Sequence, residues 1–181
     1  MRFLCLFFAA LSLPAQQPPG VAPVWDVRQA LTSLSGQTKR LQPVLAEFRV
    51  ADWVSQGAPE TYRAQWKAAQ SEIGYFLRTL DALSAQPDRL TIALEAFLRM
   101  QALESMLESL NEGVRRYQNP ALGDVLQSVL TETAPGRDKL REYLVELTAT
   151  REQEFRIADQ EAQRCRGTLL RQQSKKAQDR K

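Results

Sequence analysis

Acidic side chains one helical turn apart are the residues of this chain best placed for chemistry. Glu104 and Glu108 form one such pair, and Glu142 and Glu146 form another. Two carboxylates at that spacing lie on one helix face, where they could share a proton or bind a hard cation. Both pairs lie outside the apolar stripes of their helices, which favours the interpretation that they point to solvent or to a flank of the core. An all-carboxylate site stays open as the alternative hypothesis.

The chain contains no histidine, and this absence excludes several classes of site. A c-type haem needs Cys-x-x-Cys-His, and a ferritin-like di-iron centre needs Glu-x-x-His on two helices. Serine triads and cysteine–histidine dyads also require histidine. The sequence shows no nucleophile elbow and no phosphate-binding loop either. We therefore assign no catalytic residue, no cofactor and no metal ligand, and we favour a protein that is not an enzyme.

Aromatic side chains offer a second kind of candidate site. Tyr62 and Trp66 are one turn apart, and a pocket between helices could use them. Aromatic residues at helical spacing more often fill a core, with the indole N–H or phenol O–H reaching a hydrogen-bond partner. Trp25 and Trp53 are expected near helix ends, so we predict that they cap the bundle.

Cys165 is the one thiol that remains if residues 1–15 are removed, because Cys5 lies in that segment. It continues an apolar stripe with Phe155, Ala158, Ala162 and Leu169. In a symmetric parallel homodimer, two copies of Cys165 would come within disulfide range. The alternatives are a small packed residue and an exposed free thiol.

Positive charge is concentrated at the C-terminus. Residues 164–181 form a basic tail with one acid, Asp179, and seven bases: Arg164, Arg166, Arg171, Lys175, Lys176, Arg180 and Lys181. Residues 16–163 are acidic on balance. The tail could contact an anionic membrane surface or another polyanion, or it could be a solvated chain end. We expect no binding to nucleic acid.

Residues 1–15 are typical of a cleaved signal peptide. Arg2 supplies the positive n-region, residues 3–13 the apolar stretch, and Pro14-Ala15 a cleavage point. An uncleaved anchor at the membrane interface and a buried N-terminus are the alternatives. Residues 16–23 are rich in proline and glutamine and are expected to form a flexible linker. The sequence thus predicts an exported protein, periplasmic or secreted.

The rest of the chain shows helical periodicity throughout. Apolar residues spaced three and four apart predict helices over residues 24–55, 59–85, 88–117 and 120–133, and from 135 to the mid-170s. Pro43 predicts a kink within residues 39–42, and Ala134-Pro135-Gly136 predicts a break. After Arg151 the stripe thins, so the last helix is expected to extend past the bundle.

Short turns between long helices favour antiparallel packing within one chain over a coiled coil between chains. We predict an all-α fold: an up-and-down antiparallel helical bundle of four long helices plus one short helix, with a long final helix. Residues 24–163 would form the bundle domain.

The leading hypothesis is an exported, non-catalytic bundle that binds an unknown protein partner or organises an envelope surface. One alternative is a small-molecule or metal-handling bundle, including an enzyme of unknown type, with a site among Tyr62, Trp66, Glu104 and Glu108. Another is a periplasmic holdase-like chaperone.

Overall fold

The computed structural model describes residues 24–178, and for residues 24, 25, 176 and 177 it describes the backbone alone. The described residues form six helices: α1 (Val24–Lys39), α2 (Leu41–Ala46), α3 (Val50–Ser55), α4 (Thr61–Ala85), α5 (Leu90–Tyr117) and α6 (Pro120–Gln178). The expected signal peptide and linker lie outside the described residues, as do Arg180 and Lys181.

Four of these helices pack side by side in a ring. α4 packs against α5, α5 against α6, and α1 against both α6 and α4. Arg28 Nε donates to Ser84 O over 3.0 Å, which joins the start of α1 to the end of α4, as antiparallel neighbours require. No β-strand occurs within residues 24–178. The predicted all-α helical bundle is confirmed.

The core lies between the four helices and is made of the apolar stripes that the sequence pattern indicated. Leu34 of α1, Leu80 of α4, Leu107 of α5 and Leu126 of α6 are each at most 1% exposed. Complete burial of one such side chain contributes roughly 1.5–3 kcal/mol. Packing of this kind therefore stabilises the bundle.

The first predicted helix is divided at two places. The break at Arg40 lies inside the region where Pro43 predicted a kink, and Pro43 itself lies in the first turn of α2. A proline is tolerated there because the first N–H groups of a helix have no partner within it. The second break, at residues 47–49, was not predicted, so the expectation of one helix to Ser55 is wrong.

Gln118, at the end of α5, stabilises this second break. Its Oε1 accepts hydrogen bonds from Arg49 N and from Trp53 Nε1, both at 2.9 Å, and its Nε2 donates to Glu47 O at 2.8 Å. These bonds replace helical ones that the turn removes. The break therefore depends on a residue far away in sequence.

The predicted break at Ala134-Pro135-Gly136 is wrong, because α6 continues through it. Pro135 removes one helical hydrogen bond. Burial on both sides of it opposes a break, since Val129 and Leu140 belong to the same core. Gly136 lets α1 approach closely: a Cβ at this position would lie 2.8 Å from Leu34 Cδ1.

The packed part of α6 ends at Arg151. From Glu152 to Lys175 every residue is exposed except Gly167, which is half-buried. We call residues 152–178 the overhang, and at 1.5 Å per residue it is about 40 Å long. The expected extension of the last helix beyond the bundle is confirmed.

Candidate functional site

The carboxylate pair on α5 is divided between core and solvent. Glu104 Oε1 lies 3.3 Å from Arg137 Nη1 of α6, and the Glu104 side chain is 21% exposed. Burial raises the pKa of Glu104, and the nearby Arg137 opposes this rise only in part. Glu108 is exposed. Both positions agree with the prediction of solvent or a flank of the core, because Glu108 faces solvent and Glu104 lies at the flank.

The second pair, Glu142 and Glu146, lies on the exposed surface of α6. Within residues 24–178 there is no group of three or more cysteine, aspartate or glutamate side chains placed to bind a metal ion. The described carboxylates thus offer salt bridges and surface charge.

Tyr62 and Trp66 pack into the bundle, as expected for core aromatic residues. Trp66 Nε1 donates to Leu45 O of α2 at 2.9 Å. Tyr62 meets Trp53 of α3 edge to face, with ring centroids 5.9 Å apart. Glu104 instead faces α6, so the four side chains of the small-molecule hypothesis do not converge on one cavity.

Trp53 is completely buried at the end of the bundle where α5 finishes. Its ring and that of Tyr62 press against Gly113, where a Cβ would lie 2.9 Å from each. This position agrees with the prediction that Trp53 caps the bundle. The side chain of Trp25 lies outside the described part of the structure.

At the opposite end, α6 is fixed to the turn between α4 and α5. The Tyr143 hydroxyl donates to Pro87 O, and Arg151 Nη2 donates to Asp88 O at 2.6 Å. Burial raises the pKa of Tyr143, with a further contribution from Asp88. These contacts fix the direction in which α6 leaves the bundle.

A surface groove of about 530 Å³ between α1 and α6 was not predicted from the sequence. It depends on the spacing between two helices, and the pattern of either helix alone does not contain that spacing. Gly136 is the residue in the sequence that could have indicated the groove, because a glycine adds no side chain there. Leu31, Leu34, Leu140 and Tyr143 contribute to its apolar floor, and Asp26, Lys139 and Glu142 line it with charge. Such a groove can provide contact area.

The overhang carries the remaining predicted site residues. Cys165 is an exposed free thiol on it. Along the same helix, Phe155 is 73% exposed and Leu169 57% exposed. The basic side chains of Arg164, Arg166, Arg171 and Lys175 are exposed too, whereas that of Lys176 is not described. The overhang therefore brings apolar, thiol and basic groups to one unpacked helix.

No protein-family model, curated protein or solved structure matches this chain. Among the described helices, none is long and apolar enough to cross a membrane.

Proposed function

We propose that this protein is an exported, non-catalytic helical bundle that binds another protein chain through the overhang. The observation that carries this proposal is the exposed apolar stripe of Phe155, Ala158, Ala162, Cys165 and Leu169 on a helix that extends beyond its own bundle. A partner that covers the stripe removes apolar surface from water, which is the main driving force of protein association.

The stripe has the dimensions of a helix-binding surface. Its residues recur every three and four positions, the spacing with which one helix packs against another. The bundle holds the first part of α6 in place, so the overhang enters an interaction with its direction already set. This preorganisation reduces the ordering cost that binding a disordered segment would require.

Site-specific photo-crosslinking tests the proposal. A photoreactive amino acid at Leu169 is expected to give covalent adducts with protein when the chain is produced in its own host. Val145 is the matched control, because it is an exposed apolar residue of α6 within the bundle segment and is 64% exposed. Equal adduct yields at the two positions would contradict the proposal.

Export is tested separately by the intact mass of the protein recovered from outside the cytoplasm. The mass should correspond to loss of residues 1–15. Recovery of the uncleaved chain from the cytoplasm would contradict export. It would not affect the proposal that the overhang binds another protein chain.

A second candidate function is contact with an anionic membrane surface. Arg164, Arg171 and Lys175 are exposed and lie seven and four residues apart, so they share one helix face. At about 1 kcal/mol for each base, replacing the three with glutamine should weaken binding to phosphatidylglycerol vesicles roughly a hundredfold at low salt. Co-sedimentation that is independent of salt and of these replacements would reject this function.

A further inference from the structure

We infer that the overhang pairs with the overhang of a second copy of this chain, and that the two helices run antiparallel. This inference rests on the proposed function, since it identifies the partner as the protein itself. It differs from the parallel pair that the position of Cys165 alone suggested.

The first observation is a separation of charge along the overhang. Its first half carries four acids, Glu152, Glu154, Asp159 and Glu161, against one base, Arg156. Its second half, from residue 162 to 178, carries bases and no acid. A parallel pair would place like charges side by side. An antiparallel pair brings the acidic half of each copy against the basic half of the other.

The second observation is the direction of the stripe. Cys165 lies eighteen residues after the buried Leu147, which is about five complete turns, so both occupy the same face of α6. The other bundle helices lie on that face. In a parallel pair, where helix axes are about 8–10 Å apart, the partner's α6 would run into this bundle. An antiparallel pair keeps the two bundles at opposite ends.

One antiparallel alignment satisfies the apolar stripe and the charges together. It places Ala162 opposite the partner's Cys165 and Ala158 opposite the partner's Leu169, so that small residues meet larger ones. The same alignment places Asp159 beside the partner's Arg166, and Glu154 beside the partner's Lys175. Twofold symmetry doubles each ion pair. The remaining flanking positions, Glu152 with Gln173 and Glu161 with Thr168, bring no like charges together.

The length of the overhang also fits this alignment. Residue 175 of one copy lies opposite residue 152 of the other, which is the first residue beyond the packed part of α6. Residues 152–175 of the two copies therefore cover each other. Residues 176–178 of each copy reach residues 149–151 of the other, at the end of its bundle segment.

Sedimentation of the full chain over a wide concentration range tests the pairing. We expect a monomer–dimer equilibrium, and reversal of two flanking charges in the variant Arg166→Glu/Lys175→Glu should weaken it by about a hundredfold or more. The variant Arg164→Glu/Arg171→Glu is the matched control. It makes the same change in net charge, at positions to which this alignment assigns no acid of the partner, and should leave the dimer intact.

A second variant, with the partner acids of Arg166 and Lys175 reversed, distinguishes the proposed ion pairs from a general effect of net charge on dimer formation. Glu154→Lys/Asp159→Lys should fail to pair with itself but should form a mixed dimer with Arg166→Glu/Lys175→Glu. Absence of that mixed dimer would overturn the proposed ion pairs.

Orientation is measured by the distance between two spin labels. In a background of Cys5→Ser and Cys165→Ser, a nitroxide attached at Ser174→Cys should lie about 32 Å along the axis from its partner label, at 1.5 Å per residue. A distance well below 20 Å would indicate the parallel pair and overturn the inference. A chain that stays monomeric at high micromolar concentration would overturn it too. In that case, a Leu169 adduct with a different protein would leave the proposed function standing.

Discussion

Replacing Gly113 with alanine is expected to destabilise the bundle. The new Cβ would lie 2.9 Å from a ring carbon of Trp53 and 2.9 Å from one of Tyr62, whereas carbon atoms pack best at about 3.5–4.0 Å. The rings cannot move freely, because Trp53 is completely buried and Tyr62 is in ring contact with Tyr117. Overpacking of this kind costs about 1–3 kcal/mol, and the better helix propensity of alanine returns about 1 kcal/mol. The expected net loss is about 0–2 kcal/mol.

Gly36→Ala is the matched control for this substitution. Gly36 is also inside a helix, but it is exposed and has no atom within 4 Å of its new Cβ. The same chemical change should therefore stabilise the protein there by about 0.5–1 kcal/mol. Urea unfolding of the two variants and the wild type, followed by circular dichroism, gives both differences. Equal stabilisation by the two substitutions would refute the close packing of α5 against the aromatic rings.

Two further substitutions test other contacts. Gln118→Ala removes the acceptor for the buried indole N–H of Trp53 and should lower the free energy of unfolding by about 2 kcal/mol. The matched control, Gln101→Ala at an exposed position, should change it by less than about 0.5 kcal/mol. Equal effects of the two substitutions would contradict the role of Gln118. Glu104→Gln tests the pKa that burial raises. Because the pKa of Glu104 is higher in the folded state than its usual value of about 4.5, the folded state binds this proton more tightly. The resulting contribution to the free energy of unfolding is complete below the usual pKa and is lost as the pH rises through the higher pKa of the folded state. In urea titrations at several pH values, the wild type should thus lose stability relative to Glu104→Gln as the pH rises above about 4.5. A gain over that range would show that the pair with Arg137 outweighs burial.

Local signals in the sequence predicted most helix ends. Pro87 follows α4, which ends at Ala85 as predicted. Asn119-Pro120 marks the start of α6, where Asn119 Oδ1 accepts a hydrogen bond from Ala121 N at 2.9 Å. These ends are set by residues within a few positions, so a sequence pattern can identify them.

The two wrong helix predictions involve contacts between distant residues. The break at residues 47–49 is stabilised by Gln118, and nothing near the break in sequence indicates this. At Pro135 the local rule predicted a break, but buried residues on both sides, such as Val129 and Leu140, favour a continuous helix. Tertiary packing outweighed local preference there.

The candidate site was predicted in part for the same physical reason. The thinning stripe after Arg151 is a property of one helix, so the overhang followed from the sequence. The groove and the burial of Glu104 depend on where α6 lies against α1 and α5. Helical periodicity indicates which side of each helix is buried, but it does not specify which residues of two helices meet.

The continuity of α6 also determines how the overhang loses structure. An isolated helix must first form a costly nucleating turn, and this step makes short helices marginal in water. Here the turn around Leu147 is held by the core, so the bundle acts as a permanent nucleus from which the overhang propagates. Melting of an unpaired overhang therefore proceeds residue by residue from the part farthest from the bundle, before the bundle unfolds cooperatively. Its amide hydrogens should exchange in a gradient that slows steadily toward Arg151, with the concerted protection of the bundle beginning there.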